Sequence, residues 1–184
     1  MWITDITRKI EGLAAKNKFV YSIASRYYTD VIKSEASLAG ITADDHVLCI
    51  GGGICPFSAI LLHQTTGAKV TVIDNEIHCV SEAQQVVRRL GICGNVNVVH
   101  QDGACKHACY KNYTVIHFAL QVSPMECVFS QVEACTAPGT KFLIRRPKKH
   151  LCGLYSKLSL NSETEVLHKK GRNVGSTLLY VKGA

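Results

Sequence analysis

Residues 46–76 read HVLCIGGGICPFSAILLHQTTGAKVTVIDNE: an apolar run halted by three glycines, a stretch framed by Pro56 and Gly67, and a β-branched run ending on Asp74. A short apolar run bounded by glycine predicts a buried strand. Proline at a first helical position and glycine at the stop predict a helix between the two runs. Strand, helix, strand is the unit of a parallel sheet, because a parallel neighbour is reached only through a long crossover.

The alternation extends in both directions. Ile3, Ile6, Ile10 and Leu13, then Phe19, Ile23 and Tyr27, recur at helical spacing, so residues 1–40 read as helix. Downstream, Ile77, Val80, Ala83, Val87 and Leu90 line one helical face that Gly91 closes. NVNVVHQD (95–102) predicts a third strand and YTVIHFAL (113–120) a fourth, with a Cys-rich loop between them. PMECVFSQVEACTAPG (124–139) predicts a helix and TKFLIRRP (140–147) a fifth strand. ETEVLHKK and STLLYVK, joined through GRNVG, predict a closing hairpin. Five β-then-α units and a hairpin imply an α/β fold: a mostly parallel seven-stranded sheet with helices on both faces.

A chain of 184 residues with 47% apolar content suits one domain with a continuous core. Residues 1–40 are expected to form a helical lid and 41–184 the binding domain. No stretch approaches the roughly 20 apolar residues that span a bilayer. The start MWITDITRKIEGLAAKNK is too charged for a signal-peptide core, so a soluble cytoplasmic protein without a membrane partner is expected. Nine cysteines are scattered, odd in number and partly set in apolar runs (Cys49, Cys127, Cys135), which predicts reduced core thiols. HQDGACKHAC offers His100, Cys105, His107 and Cys109, but a C-x3-C without a second pair fits no common zinc module, and no metal is expected. The formal charge of +7 concentrates in RRPKKH (145–150) and HKKGR (168–172), neither with interleaved aromatics. An anionic small substrate or a solvated face accounts for them; nucleic acid is not the expected partner.

Ligands of an open parallel sheet sit beyond the carboxyl ends of its strands, where strand order reverses. Gly51, Gly52 and Gly53 are placed there to let backbone approach a ligand. Asp74 and Asn75 end the second strand, where a carboxylate accepts from both ribose hydroxyls. Asp102 ends the third and reaches an adenine amine, with Gly103 leaving room for the ring. Pro56 stands where a dinucleotide fingerprint needs its third glycine, and no G-K-[ST] follows the loop, so NAD, FAD and a phosphate-binding loop are disfavoured. S-adenosylmethionine, which carries adenosine without phosphate, fits best.

With VLCIGGG, VTVIDNE, VVHQDG, YTVIHFAL and the hairpin in view, residues 40–184 resemble the class I S-adenosylmethionine-dependent methyltransferases. That family commonly has an acid two positions before the first loop glycine; here it is Cys49. A narrower likeness is to the nicotianamine synthase group, which transfers the 3-amino-3-carboxypropyl arm instead of the methyl. Its loop reads G-x-G-P-x-P-x-[ST], and GGGICPFS keeps Gly51, Gly53, Pro56 and Ser58 but has Ile54 at the first proline. Tyr28 and Glu35 match its Tyr-x6-Glu stretch, and PGTKFLIRRPKKHLCGLY resembles its arginine and downstream tyrosine. Residues 1–40 are expected to supply a smaller lid than that group's long N-terminal helical domain.

The resemblance implies a transferase acting on a small-molecule acceptor, an amine or a carboxylate-bearing compound, with a homodimer as an admissible assembly. Methyl transfer leads as the commonest use of the fold, arm transfer is the alternative, and a non-catalytic cofactor-binding module is a third reading. A sulfonium is already electrophilic, so the protein's task is alignment and, for an amine, help with a proton. The candidates for this are Tyr28, Glu35 and Gln121, with Ala119 and Leu120 beside the transferred group. His117 reads as a core histidine with a backbone partner, and Arg145 or Arg146 as a clamp for a substrate carboxylate or a surface ion pair.

Overall fold

The computed structural model describes residues 18–105, 108–160, 164–169 and 173–183, with side chains described from Arg26 onward except Tyr27. The apolar runs become strands β1 (His46–Ile50), β2 (Lys69–Asp74), β3 (Val96–His100), β4 (Val115–Phe118) and β5 (Lys141–Pro147). Between them run helices α2 (Phe57–Thr66), α3 (Ile77–Arg89) and α4 (Met125–Ala134), with α1 (Lys18–Ala39) ahead of β1. The hairpin forms β6 (Thr164–Leu167) and β7 (Val174–Val181). Two of the expected five β-then-α units differ. β3 leads into an irregular loop, and β5 into a 3-10 helix, Lys149–Leu154.

The seven strands lie in the order β3-β2-β1-β4-β5-β7-β6. The first five are parallel, and β7 runs antiparallel to both β5 and β6. The order reverses between β1 and β4, as the sequence predicts for a ligand crevice. Alternate residues of each strand feed the two faces. Val47, Val70 and Val115 join a core with α1, α2 and α3 through Ile32, Leu62 and Val80. Leu48, Ile116 and Ile144 join a second core with Val128 and Phe129 of α4. That second core is tied by an aromatic cluster of Phe118, Phe129, Phe142 and Tyr180, with ring centroids 5.5–6.4 Å apart.

The second half of α1 belongs to the first core. Val31, Ile32, Ala36 and Ala39 recur at helical spacing and are buried, so this part of the expected lid is a layer of the sheet's cover. Residues 1–17, where the rest of that expectation falls, lie outside the described residues. The expectation of core thiols holds for Cys49, Cys55 and Cys79, whereas Cys93, Cys109 and Cys127 are exposed. Cys127 sits on the outer face of α4, where an apolar run in sequence still turns one side to solvent.

Candidate active site

A pocket of about 820 Å³ opens at the carboxyl ends of β1, β2 and β4 and beside the loop that follows β3. Cavities of this size accommodate small-molecule ligands. Gly51, Gly52, Gly53, Asp74, Asn75, Asp102, Gly103 and Ala119 all line it, as do Tyr28 and Gln121. Strand ends far apart in sequence are brought together by the parallel register, which aligns Ile50 with Ile73 and with Phe118.

The glycine loop leaves β1 through positive φ at Gly51 (83°) and Gly53 (61°), conformations that L side chains rarely adopt. A Cβ at Gly51 would stand 3.1 Å from Val122 Cγ2, and one at Gly52 would collide with Val72 Cγ1. Asp74 anchors this loop. Its Oδ2 accepts the Gly53 N–H at 2.8 Å and its Oδ1 the Glu76 N–H at 2.9 Å. A carboxylate has about four acceptor positions, so two remain for a ligand's hydroxyls. The Asp102 carboxylate at the next strand end accepts the Ala104 N–H at 2.9 Å. Gly103, which lines the pocket, is also closely packed: a Cβ there would lie 2.8 Å from Val128 Cγ1 and 3.2 Å from Ile50 Cγ2.

Beneath the pocket lies a polar network that the sequence reading did not assemble. Glu35 is fully buried and does not line the pocket. Its carboxylate accepts from Arg145 Nε and Nη2, each at 2.8 Å, from Thr177 Oγ1 at 2.6 Å, and from His117 Nε2 at 3.3 Å. Arg145 Nη1 donates to Ser58 Oγ at 2.9 Å. Because the Thr177 hydroxyl hydrogen goes to Glu35, its oxygen accepts from His168 Nε2 at 2.8 Å, which puts the His168 proton on Nε2. Burial opposes the charge on Glu35, but Arg145 first and His117 second hold its carboxyl well below the usual carboxylate range. Burial, aided by Arg145, pushes His117 down, and burial likewise lowers His168, which disfavours a charge on either ring.

The two arginines have different fates. Arg145 is committed bidentately to Glu35 and is not available as a clamp for a substrate carboxylate. Arg146 reaches the Leu160 carbonyl at 2.9 Å and lies 3.9 Å from Glu165. His117 is a core histidine with a backbone hydrogen bond, as expected, and has the Glu35 carboxylate from another element as a second partner. Cys49, at the position of the usual acid, is buried, and burial pushes its thiol up to about 12, so a neutral group faces the pocket there. Tyr28 stacks on Phe57 with centroids 5.6 Å apart, which carries α1 to the pocket wall. Among the described residues no group of three or more His, Cys, Asp or Glu side chains is arranged to hold a metal; His107 lies outside them. No helix is long and apolar enough to cross a membrane among the described residues.

The sequence matches no protein-family model and no curated protein. Solved structures do match. A mutant of the nicotianamine synthase MtNAS in complex with S-adenosylmethionine superposes with a TM-score of 0.85 over 100% of this chain and 76% of that one, at 21% identity. MtNAS in complex with MTA and tNA gives 0.80 over 96% and 69%, also at 21% identity. An RNA methyltransferase from Salinibacter ruber in complex with S-adenosyl-L-homocysteine gives 0.67 over 84% and 91%, at 17% identity. The chain therefore has the Rossmann-like fold of the class I S-adenosylmethionine-dependent methyltransferases, in the form that MtNAS shares.

Proposed function

We propose that the chain is an S-adenosylmethionine-dependent transferase acting on a small-molecule acceptor. The observation that carries this is the convergence of all eight residues read as cofactor contacts on one pocket, at the point where strand order reverses. The fit is chemical as well as spatial: Asp74 keeps acceptor positions for two ribose hydroxyls, Asp102 keeps acceptor positions for an amine, and no Cβ obstructs the turn at Gly51 and Gly53.

Bound there, S-adenosylmethionine would supply a sulfonium that activates its three attached carbons. The chain's own work is alignment and exclusion of water. Gln121, in the turn after β4, and Tyr28, on α1, line the pocket and position the acceptor. Glu35 is a positioning residue: with its acceptor positions taken and its carboxyl held low, it is a poor base, but it fixes Arg145 and His117 in the floor. The floor then carries no net charge and does not repel the sulfonium.

Two carbons compete. Superposition with MtNAS over the whole chain, α1 included, and the neutral thiol of Cys49 favour transfer of the 3-amino-3-carboxypropyl arm. With a neutral thiol at the position of the usual acid, the arm would be held by other groups and in a different pose, which can turn its γ carbon toward the acceptor. Methyl transfer is the second reading, favoured by the match to the RNA methyltransferase over 84% of this chain. The by-product separates them. Incubation with S-adenosylmethionine and a panel of amines and amino acids is expected to accumulate methylthioadenosine. S-adenosylhomocysteine in its place establishes methyl transfer, and neither product despite tight binding establishes a non-catalytic module.

A further inference from the structure

A second cavity, of about 360 Å³, shares the 3-10 helix with the first pocket as a wall. Residues three apart lie on one side of such a helix, so Lys149 and Cys152 line this cavity while His150 and Leu151 line the first. On the sheet, β5 and β7 pair Ile144 with Leu178 and Arg146 with Ser176, and alternation puts these four on one face. It is the reverse of the face on which Arg145 and Thr177 meet Glu35. Leu158 and Leu160 extend the apolar part of the lining. Ser176 is the exception there. It is 7% exposed, lines the cavity, and its hydroxyl has no hydrogen-bond partner among the described residues. A buried hydroxyl without a partner is costly and calls for an explanation in what meets it. Ser156, on the opposite wall, accepts the Met125 N–H at 2.8 Å and keeps its own hydrogen to donate.

We infer that this cavity is a second small-molecule site, for a carboxylic acid with an apolar body. Its charge decides the sign of the ligand. Arg146, Lys149 and Lys157 line it, and no described carboxylate does. Arg146 is partly engaged, donating from Nη2 to the Leu160 carbonyl at 2.9 Å with Nη1 3.9 Å from Glu165, and the two lysines are exposed. A cation is repelled there, and a neutral apolar molecule leaves Ser176 unpaired. A carboxylate oxygen accepts from the Ser176 hydroxyl and faces the cations, while its hydrocarbon part covers leucine and isoleucine side chains. A phosphate monoester carries nearly twice the charge, which a mostly apolar lining solvates poorly. Arg145 is the one described residue that lines both cavities, and Glu35 already meets its charge. The inference therefore stands apart from the cofactor reading.

The test is titration of 3-phenylpropanoate into the isotope-labelled full chain, followed by its amide chemical shifts. Saturable binding is expected with a Kd of roughly 1 mM or below, an ordinary affinity for so small a probe, and with shifts centred on Leu158, Leu160, Ser176 and Leu178. The uncharged 3-phenylpropanamide should bind more weakly by roughly tenfold or more. Ser176→Ala removes only an unpaired hydroxyl, so it should keep the fold and weaken the acid by roughly tenfold. Replacing both Lys149 and Lys157 by Gln, at exposed positions, should lower the affinity and its dependence on salt. Equal affinity for acid and amide, an unchanged affinity in Ser176→Ala, or shifts centred on Gly51, Gly52 and Gly53 instead of β7 would each overturn the inference. So would the absence of any shift at roughly tenfold that concentration. Tighter binding of phenyl phosphate than of the acid would overturn the assignment to a carboxylate.

Discussion

Asp74 performs two tasks with one carboxylate, and they respond differently to substitution. Toward the protein it accepts the N–H groups of Gly53 and Glu76; toward the pocket it keeps acceptors for a ligand. Asp74→Asn retains one carbonyl acceptor and removes the charge. S-adenosylmethionine binding, measured by calorimetry, should weaken by about 1.5–3 kcal/mol for each charge-assisted bond lost. A dissociation constant equal to the native one would remove Asp74 from the site. Gly53→Ala meets a different obstacle, since φ of 61° costs an L residue about 1–2 kcal/mol. Its melting temperature and its cofactor affinity should fall together, and normal values of both would reduce the loop to an ordinary turn. Both positions were legible in the sequence because the fold gives strand ends a fixed meaning. The second task of Asp74 was not legible, nor was the pairing of Glu35 with Arg145, 110 positions apart. A signal for Glu35 existed: it falls on the same helical stripe as Val31, Ile32, Ala36 and Ala39, and a carboxylate on an apolar stripe needs a buried partner.

At the scale of elements, that ion pair fastens α1 to β5 and β7. Burying two charges costs several kcal/mol each, which the four hydrogen bonds on Glu35 offset. Glu35→Gln leaves Arg145 buried without a counter-charge and should destabilise the fold by about 3–5 kcal/mol in urea unfolding. A loss below about 1 kcal/mol would show the pair to be incidental. The same network sets the response to acid. His117 and His168 have folded pKa values below the ordinary 6.5, so the unfolded chain binds protons that the folded chain refuses. Their contribution is complete above pH 6.5 and is lost as pH falls below it, by up to about 1.4 kcal/mol per pH unit for each group. Glu35, with its folded pKa lowered, contributes fully above about 4.5 and is lost only at lower pH. His117→Gln should therefore flatten the stability profile between pH 6.5 and 5 and leave the steeper fall below 4.5 in place. An unaltered slope in the upper window would mean that His117 is not the group responsible. Strand and helix positions were readable because apolar runs and glycine stops are local signals. The irregular link from β3 to β4 and the 3-10 turn after β5 depend on what packs above them, which periodicity does not report.

For the molecule as a whole, the pocket is assembled from distant parts of the chain, and ligand binding should act on all of them at once. Its wall runs from Tyr28 on α1 through the ends of β1, β2 and β4 to Leu151 and Tyr155 around the 3-10 helix and Val174 on β7. Those parts unfold together if the sheet unfolds as one unit, as a domain of this size with a continuous hydrogen-bonded sheet is expected to do. A ligand that binds only the folded state then stabilises the whole molecule by RT ln(1 + [L]/Kd), about 2.7 kcal/mol at a hundredfold excess over Kd. For a chain of 184 residues each kcal/mol raises the melting temperature by roughly 2–4 °C, so S-adenosylmethionine or S-adenosylhomocysteine at that excess should raise it by about 5–11 °C. NAD at the same concentration should leave it unchanged, because Pro56 stands where the dinucleotide turn requires glycine. The curve should shift as one transition. A shift confined to part of the melting curve would separate α1 or the hairpin from the binding unit, and a melting temperature indifferent to both adenosine compounds would overturn the cofactor reading for the whole chain.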